Sequence, residues 1–211
     1  MPLLHQYQTP LLGIWEITES WQEMSVSLYN KEVYDADLRN IQSEKRKQEW
    51  LAVRLLLQRL IPTRARTYII YKDNGAPALS DGSYFISISH TKGYVAVLLS
   101  KNSQPGVDIE FRSDRAWKLK EKFLNKRELE TLAQICNPCA TDYVTICWCA
   151  KETIYKALGE TAVDFAEQLH IEPFLLSDEG VLFVHETRTL QKQRFPIHYQ
   201  VHETYIITWK A

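Results

Sequence analysis

The fold is set by a segment that reads WCAKETIYKALG at residues 148–159. Trp148, Glu152 and Lys156 recur at intervals of four residues, so a helix presents all three on one face. Gly159 follows as the residue type that commonly ends a helix in the left-handed conformation. The segment therefore predicts a helix that carries a carboxylate and an ammonium group together, either as a surface ion pair or as part of a site.

A second helix is predicted at residues 43–61, where apolar side chains recur with helical spacing and Pro62 closes the segment. This stretch is strongly basic, because seven basic residues and only two acidic ones lie between Glu44 and Arg66. Such a run is typical of a solvated helix face, and it also suits the binding of a small polyanion. Both interpretations stay open at this point.

A β-hairpin is predicted between these helices. The alternation in Tyr84–Ser89 and the apolar run Tyr94–Leu99 flank a short connection, which places His90 beside a tight turn. The other predicted elements are a strand at Thr67–Tyr71, a turn at Asp73-Asn74-Gly75, a strand at Gly106–Phe111, a charged helical tract over residues 114–135, a turn at Asn137-Pro138, and strands from Leu169 to Tyr205–Trp209.

The two predicted helices occupy equivalent places in the chain. Each contains a Trp-x-Ala motif, each is followed by strands, and each half closes on an apolar strand that begins with tyrosine. Superposing Trp50 on Trp148 places Arg54 on Glu152, so one half offers cations and the other carboxylates. We expect an ancient duplication that gives a pseudo-twofold α+β fold of two similar halves, with the site in the cleft between them.

Composition is that of a globular protein. The apolar fraction of 45% can supply a core for both halves, which we place at residues 1–105 and 106–211. The net charge of -1 argues against wholesale nucleic-acid binding. There is no apolar run of the roughly 18 residues that a membrane span needs, and no basic and apolar start typical of a signal peptide. We therefore expect a cytosolic protein.

Four cysteines cluster at Cys136, Cys139, Cys147 and Cys149, too close together for a disulfide framework. The first pair has the CxxC spacing of some zinc sites. The second pair has C-x-C spacing in a helical stretch, so its side chains do not face one another. We expect buried or incidental thiols in preference to a zinc site.

Two carboxylates alternate in the predicted strand Gly106–Phe111. Because successive strand residues point to opposite faces, Asp108 and Glu110 share one face while the intervening apolar residues face a core. Taken alone, the motif is explained by two exposed charges on the wet face of an edge strand. The alternative is a Mg²⁺ site completed by Glu152, because a hard divalent cation relieves the repulsion between neighbouring carboxylates.

Ser89 and His90 lie at the end of the first hairpin strand, where a hydroxyl, an imidazole and the backbone N–H groups of a turn suit a phosphate. A single histidine beside a turn is more often incidental. The chain as a whole, however, combines carboxylates for a metal, a basic helix and this turn, and no nucleophile triad is evident. That combination fits phosphoryl transfer, in which a metal and cations neutralise developing charge.

Three motifs occur in this order along the chain: ISHT at 88–91, GVDIE at 106–110 and WCAKETIYK at 148–156. In this order and approximate spacing they resemble the signature of the 4'-phosphopantetheinyl transferase superfamily, specifically its long single-chain type exemplified by the surfactin synthetase activator. The resemblance covers essentially the whole chain and is sharpest over residues 85–159.

The resemblance implies a monomeric, pseudodimeric enzyme with coenzyme A bound between its halves and Mg²⁺ on the pyrophosphate. Such an enzyme, a holo-[acyl-carrier-protein] synthase, transfers 4'-phosphopantetheine from coenzyme A to a serine of an apo acyl or peptidyl carrier protein. By position, the metal-binding acids correspond to Asp108, Glu110 and Glu152, and the catalytic residues to Glu152, Lys156 and Asp108, with Glu152 or a metal-bound water as the base. The residues that contact coenzyme A correspond to Arg54, Ser89, His90, Lys151 and Lys156.

One motif departs from the family pattern. Many relatives read Gly-Lys-Pro before the hairpin, whereas this chain reads Gly75-Ala76-Pro77. Lys72 and Arg46 are two candidates to supply the missing charge. Two other functions are compatible with the motifs: a Mg²⁺-dependent nucleotide pyrophosphohydrolase, and a degenerate relative that only binds coenzyme A or a carrier protein. The sequence does not indicate which carrier protein is used.

Overall fold

The computed structural model describes residues 3–8, 10–29, 31–62, 67–136, 139–159 and 162–211, with Gln8 described by its backbone only. The chain divides into two compact units, unit 1 at Met1–Gln104 with Ala211, and unit 2 at Pro105–Lys210. Arg64 and Arg66 of the basic segment and the turn expected at Asn137-Pro138 lie outside the described residues. None of the described helices has the length and apolar character needed to cross a membrane.

Unit 1 is built on an antiparallel sheet and a long helix. Its elements are β1 (Leu3–Gln8), β2 (Leu11–Glu16), α1 (Trp21–Val26), α2 (Lys31–Asn40), α3 (Glu44–Leu60), β3 (Ile69–Tyr71), β4 (Pro77–Leu79), β5 (Phe85–Thr91) and β6 (Tyr94–Ser100). The described strands form a four-stranded sheet in the order β1-β2-β6-β5 and a two-stranded sheet of β3 and β4. The helix predicted at residues 43–61 is confirmed as α3, which begins after its N-cap Ser43.

The predicted hairpin is confirmed as β5 and β6. Thr91 pairs with Tyr94, so the turn holds only Lys92 and Gly93. Gly93 has a φ of 80°, a conformation that glycine adopts without the steric cost of a Cβ. The tight turn thereby fixes His90 as the second-last residue of β5.

Unit 2 has a five-stranded antiparallel sheet in the order β7-β11-β10-β9-β8 among the described residues. Its elements are β7 (Gly106–Phe111), α4 (Arg115–Phe123), α5 (Lys126–Leu132), α6 (Ala140–Leu158), α7 (Phe165–Gln168), β8 (Leu169–Ile171), β9 (Glu179–Glu186), β10 (Arg194–Val201) and β11 (Tyr205–Lys210). The helix predicted to end at Gly159 is confirmed as the second half of α6, and Gly159 caps it at a φ of 65°.

The charged tract over residues 114–135 is not one helix but two. Asn125 interrupts it, because its side chain accepts a hydrogen bond from the N–H of Glu128 while the Glu128 side chain accepts one from the N–H of Asn125. This reciprocal capping box starts α5 as a new helix.

The two units repeat one arrangement of elements, and the predicted α+β class is confirmed. In each, a strand precedes the long helix, and the last strand of a later hairpin pairs with that first strand, giving β2-β6-β5 in unit 1 and β7-β11-β10 in unit 2. Helix α3 packs on β2 and β6, as α6 packs on β7 and β11.

A glycine lies under the long helix in each unit. A Cβ at Gly106 in β7 would collide with the backbone carbonyl oxygen of Thr153 in α6. In unit 1, a Cβ at Gly13 in β2 would come within 2.6 Å of Cδ1 of Leu56 in α3. The first obstacle is fixed backbone, whereas the second is the end of a side chain that has other rotamers.

We expect Gly106→Ala to lower the free energy of unfolding by about 3 kcal/mol, because α6 must move off β7 to admit the methyl group. The matched variant Gly13→Ala should lose roughly 1 kcal/mol or less, since Leu56 can turn away. Urea denaturation of both variants measures the difference. Equal losses would contradict the backbone contact between α6 and β7.

Candidate active site

Asp108 and Glu110 lie on β7, and both carboxylates meet α6. Asp108 is 5% exposed, and its Oδ1 accepts a hydrogen bond from Nζ of Lys156 at 2.7 Å. Oε1 of Glu110 accepts a hydrogen bond from the indole N–H of Trp148 at 3.2 Å. The structure thus excludes the simpler interpretation of two exposed charges on a wet strand face.

Lys156 joins α6 to β7 at this point. Besides its bond to Asp108, its Nζ donates to the backbone carbonyl of Val107 at 3.0 Å. These bonds of Lys156 therefore run to β7, and the simple interpretation as a surface ion pair within α6 does not describe them. A further cation approaches from α4, because Nη1 of Arg115 lies 3.6 Å from Oε1 of Glu110.

Glu152 shares the electrostatic environment of these groups. Its pKa is raised to about 7, first by burial and then by the negative charge of Asp108. The charge of Glu110 acts in the same direction, while the cations of Lys156 and Arg115 lower the pKa. A third ionised carboxylate is therefore unfavourable here, and a nearby divalent cation would favour it.

The donors at this contact suit a hard cation by their chemistry, since Mg²⁺ takes oxygen ligands and usually one or two carboxylates together with substrate phosphates. Yet no group of three or more His, Cys, Asp or Glu side chains within the described ranges is arranged to hold a metal ion. Lys156 engages Asp108, and Trp148 engages Glu110. Each of these hydrogen bonds occupies one carboxylate oxygen, and the metal site stays a prediction.

The predicted contact of Lys151 with coenzyme A is not supported by the structure. The Lys151 side chain is fully buried. Its Nζ donates to Oε2 of Glu128 at 2.7 Å, to the carbonyl of Phe123 at 2.7 Å and to the carbonyl of Phe165 at 2.9 Å. An ammonium group has three donors, and all three are satisfied here. Lys151 anchors the buried side of α6 and does not present its charge to a ligand.

Glu128 is the partner that makes this burial possible. Its carboxylate accepts hydrogen bonds from Lys151, from the N–H of Asn125 at 2.9 Å and from the N–H of Ile171 at 2.7 Å. The pair therefore ties α6 to α5 and β8, and the carbonyls that bind Lys151 add α4 and α7. A buried charge needs such partners, because desolvation alone is costly.

The thiols of Cys147 and Cys149 are buried, as predicted, whereas Cys136 is exposed and Cys139 is partly exposed. Burial raises the pKa of both buried thiols, and for Cys149 the negative charge of Asp108 adds to the effect. Both are therefore held as neutral thiols, which are poor nucleophiles and poor metal ligands.

In unit 1 the structure brings His90 together with Arg46. Nη1 of Arg46 lies 2.8 Å from Nε2 of His90. Arginine can only donate, so Nε2 accepts and the proton of the neutral imidazole lies on Nδ1, which is 3.9 Å from Oε2 of Glu49. Ser89 is buried on the opposite face of β5, so Ser89 and His90 do not present their side chains together.

Arg54 does not lie on a solvated face. It is 2% exposed, and its guanidinium carbon stacks 3.4 Å from the ring centroid of Trp50 and 5.2 Å from that of Tyr34. Nη1 donates to the Trp50 carbonyl at 3.0 Å. In this structure Arg54 packs against the aromatic rings of unit 1, and its contact with a coenzyme A phosphate stays a prediction.

Sequence reasoning missed two residues that contact the candidate site or the helix that carries it. Arg115 carries charge toward Glu110, but it belongs to a different helix, and no local pattern links the two. Glu128 was indicated by the spacing Asn125-x-x-Glu128, which is the signature of a capping box. The capping signal predicts a helix start, and only the tertiary structure shows that the same carboxylate receives Lys151.

Comparison with known protein families matches residues 104–210 to the 4'-phosphopantetheinyl transferase superfamily. Residues 37–100 match the 4'-phosphopantetheinyl transferase N-terminal domain. The first match alone spans just over half of the sequence, so the chain belongs to the 4'-phosphopantetheinyl transferase superfamily, a class of transferases. A comparison with individual curated proteins gave no significant match.

We expect Glu152→Gln to stabilise the metal-free protein at alkaline pH. A carboxyl group whose pKa rises from 4.5 to about 7 on folding contributes stability that is fully present below 4.5 and is lost as the pH rises through 7. Glutamine does not ionise, so the variant does not lose this stability. Near pH 8 its free energy of unfolding should be about 2 kcal/mol higher than that of the wild type, a value reduced to allow for the partial exposure of Glu152 to water.

Chemical denaturation across the pH range measures this effect, with metal removed by a chelator. The two proteins should converge below about pH 4.5, where wild-type Glu152 is protonated. The control Glu130→Gln changes an exposed carboxylate of α5 and should leave the pH dependence as it is in the wild type. If the stability difference between Glu152→Gln and the wild type does not change with pH, the raised pKa of Glu152 is contradicted.

Proposed function

We propose that this chain transfers the 4'-phosphopantetheine group of coenzyme A to a serine of an apo acyl or peptidyl carrier protein, giving holo carrier and 3',5'-ADP. The observation that carries the proposal is the contact between β7 and α6, where Asp108, Glu110, Glu152 and Lys156 come together in the unit that matches the superfamily. Holo-[acyl-carrier-protein] synthase activity and the long single-chain, surfactin synthetase activator type are part of this proposal.

In this proposal Asp108, Glu110 and Glu152 hold Mg²⁺. The bound ion supplies charge neutralisation at the pyrophosphate of coenzyme A. Asp108 already pairs with a cation, because Lys156 bonds to its Oδ1. If Asp108 binds the metal ion in place of Lys156, the Lys156 side chain is flexible enough for its ammonium group to contact a substrate phosphate instead.

The reaction then proceeds as a substitution at phosphorus. The carrier serine oxygen forms a bond to the β-phosphorus, which carries the pantetheine arm, and the bond from that phosphorus to the bridging oxygen breaks. The electron pair leaves with 3',5'-ADP, and Lys156 stabilises the charge that develops there. The serine proton passes to Glu152, the carboxylate that lies on the same helix face as Lys156.

We assign the 3'-phosphate of coenzyme A to Arg46 and His90. Arg46 is exposed, lies against His90 and supplies the cation that Ala76 lacks. Lys72 is less suitable, since it lines a separate cavity together with Lys101. Nη1 of Arg46 lies near both His90 and Glu49, and the other guanidinium N–H groups are the donors assigned to the phosphate oxygens.

The other expectations from the sequence belong to the same proposal. We propose that the protein is a cytosolic monomer that does not bind nucleic acid. Residues 1–105 are assigned to cofactor binding and residues 106–211 to catalysis.

The test is mass spectrometry of a panel of apo carrier proteins incubated with the chain, coenzyme A and Mg²⁺. The phosphopantetheine mass should appear on serine, and Asp108→Asn should lower the rate by at least about 100-fold, because it removes a ligand charge and the partner of Lys156. The matched control is Asp142→Asn, which removes another α6 carboxylate, paired with Arg112 at the surface, and should keep most activity.

The same assay separates the alternatives. Release of 3',5'-ADP without any carrier protein would establish a pyrophosphohydrolase. Binding of coenzyme A with no product on any carrier would establish a degenerate relative. Equal activity of Asp108→Asn and Asp142→Asn would refute the assigned site even if transfer is observed.

The assignment of Arg46 has its own prediction. Arg46→Gln should reduce the preference for coenzyme A over dephospho-coenzyme A by about tenfold, because the lost cation acts only on the 3'-phosphate. Steady-state kinetics with both substrates measure the preference. Lys45→Gln removes a neighbouring exposed cation and should change the preference much less. If both variants discriminate as the wild type does, the basic start of α3 is only a solvated surface.

A further inference from the structure

Two histidines and an arginine form a row across three neighbouring strands of unit 2. His170 on β8 pairs directly with His185 on β9, and His185 pairs with Arg194 on β10. Directly paired residues of antiparallel strands place their side chains on the same face, about 5 Å apart at Cβ. The row lies on the face opposite the core, since the neighbours of His185 in β9, Val184 and Glu186, are buried.

This row lines a cavity of about 590 Å³ at the end of α5. Arg127 of α5 and the N-cap residue Asn125 complete its wall, and Glu172 also lines it. The site described above, at the contact of β7 and α6, contributes no residue to this cavity.

The hydrogen bonds around His170, which lines the cavity, determine which ring nitrogen carries its proton. Oδ1 of Asn125 accepts the N–H of Glu128 at 2.9 Å, so the Asn125 amide group is fixed with its NH₂ toward His170. That NH₂ lies 3.1 Å from Nδ1 of His170. Nδ1 therefore accepts, and the proton of the neutral ring lies on Nε2.

The charges at the cavity favour an anion over a cation. Arg194 binds Glu172 through Nε at 2.7 Å and Nη2 at 2.9 Å, which cancels one charge of each sign and leaves Nη1 as a further donor. Arg127 has no ion-pair partner among the residues that the structure describes. Nε2–H of His185 donates to the carbonyl of Lys192 at 3.0 Å, so the neutral His185 ring adds no N–H donor to the cavity. A metal ion in the cavity would meet the uncompensated positive charge of Arg127.

We propose that the cavity formed by Arg127, His170, His185 and Arg194 binds a phosphate-type oxyanion. The site uses the Arg127 guanidinium as its charge and the Nε2–H of His170 as an oriented donor, two groups that suit tetrahedral oxyanions. It is separate from the transfer site, and the inference does not depend on the proposed function. The phosphate group belongs either to inorganic phosphate or to a phosphate ester such as 3',5'-ADP.

The test is an NMR titration of the whole chain with inorganic phosphate, with chloride at matched ionic strength as the reference anion. Saturable shifts should appear at Asn125, His170 and His185 and be absent with chloride. Arg127→Gln should weaken the affinity by about tenfold. Lys126→Gln removes the adjacent exposed cation, which does not line the cavity, and should weaken it less than about twofold.

A second titration with 3',5'-ADP distinguishes the two sources of the phosphate group. Shifts at the same residues at lower concentration than with inorganic phosphate indicate the ester, and shifts only with inorganic phosphate indicate the free ion. Either result supports the site. Three results would overturn the phosphate site: shifts that do not saturate, shifts that chloride reproduces, or an equal loss of phosphate affinity in Arg127→Gln and Lys126→Gln. Binding at Arg46 and His90 gives shifts in unit 1, so failure of this site and failure of the proposed function remain distinguishable.

Discussion

The contact on which the rest of unit 2 depends is the direct approach of the α6 backbone to the β7 backbone. At Gly106 no space exists even for a methyl group, because the carbonyl oxygen of Thr153 lies there. Only at this short distance do side chains of α6 reach those of β7, as Lys156 reaches Asp108 and the Val107 carbonyl. The site is thus a property of helix packing, and its geometry follows from a glycine in the strand.

The opposite side of α6 is held by a different kind of interaction. Lys151 and Glu128 form a buried ion pair whose hydrogen-bonding groups are taken up by α4, α5, α7 and β8. A buried charge is costly without partners, so this ion pair holds α6 against all four of these elements. Glu152 is the next residue along the chain, so this ion pair holds the helix beside the carboxyl group whose pKa is raised to about 7.

Features that arise from local pattern were predictable from the sequence, namely α3, the β5–β6 hairpin, β7 and the end of α6. Their periodicity, caps and turn residues act within a few positions. The burial of Arg54 and Lys151 was not predictable. The sequence shows that each residue is basic, but it does not show which side of the helix is covered by other elements. The break at Asn125 has a local signal in the spacing Asn125-x-x-Glu128, but the charge pattern continues through it, so residues 114–135 were predicted as one helical tract.

The repeated strand order of the two units has a consequence for how such a chain changes over time. At the matched helix position, unit 1 has Arg54 buried against Trp50, while unit 2 has Glu152 beside Asp108. A protein assembled from two identical copies of one half must accept every substitution twice, once where it helps and once where it harms. A chain that encodes both halves in tandem is released from that coupling, so each copy of the same architecture can specialise by single substitutions that leave the other untouched.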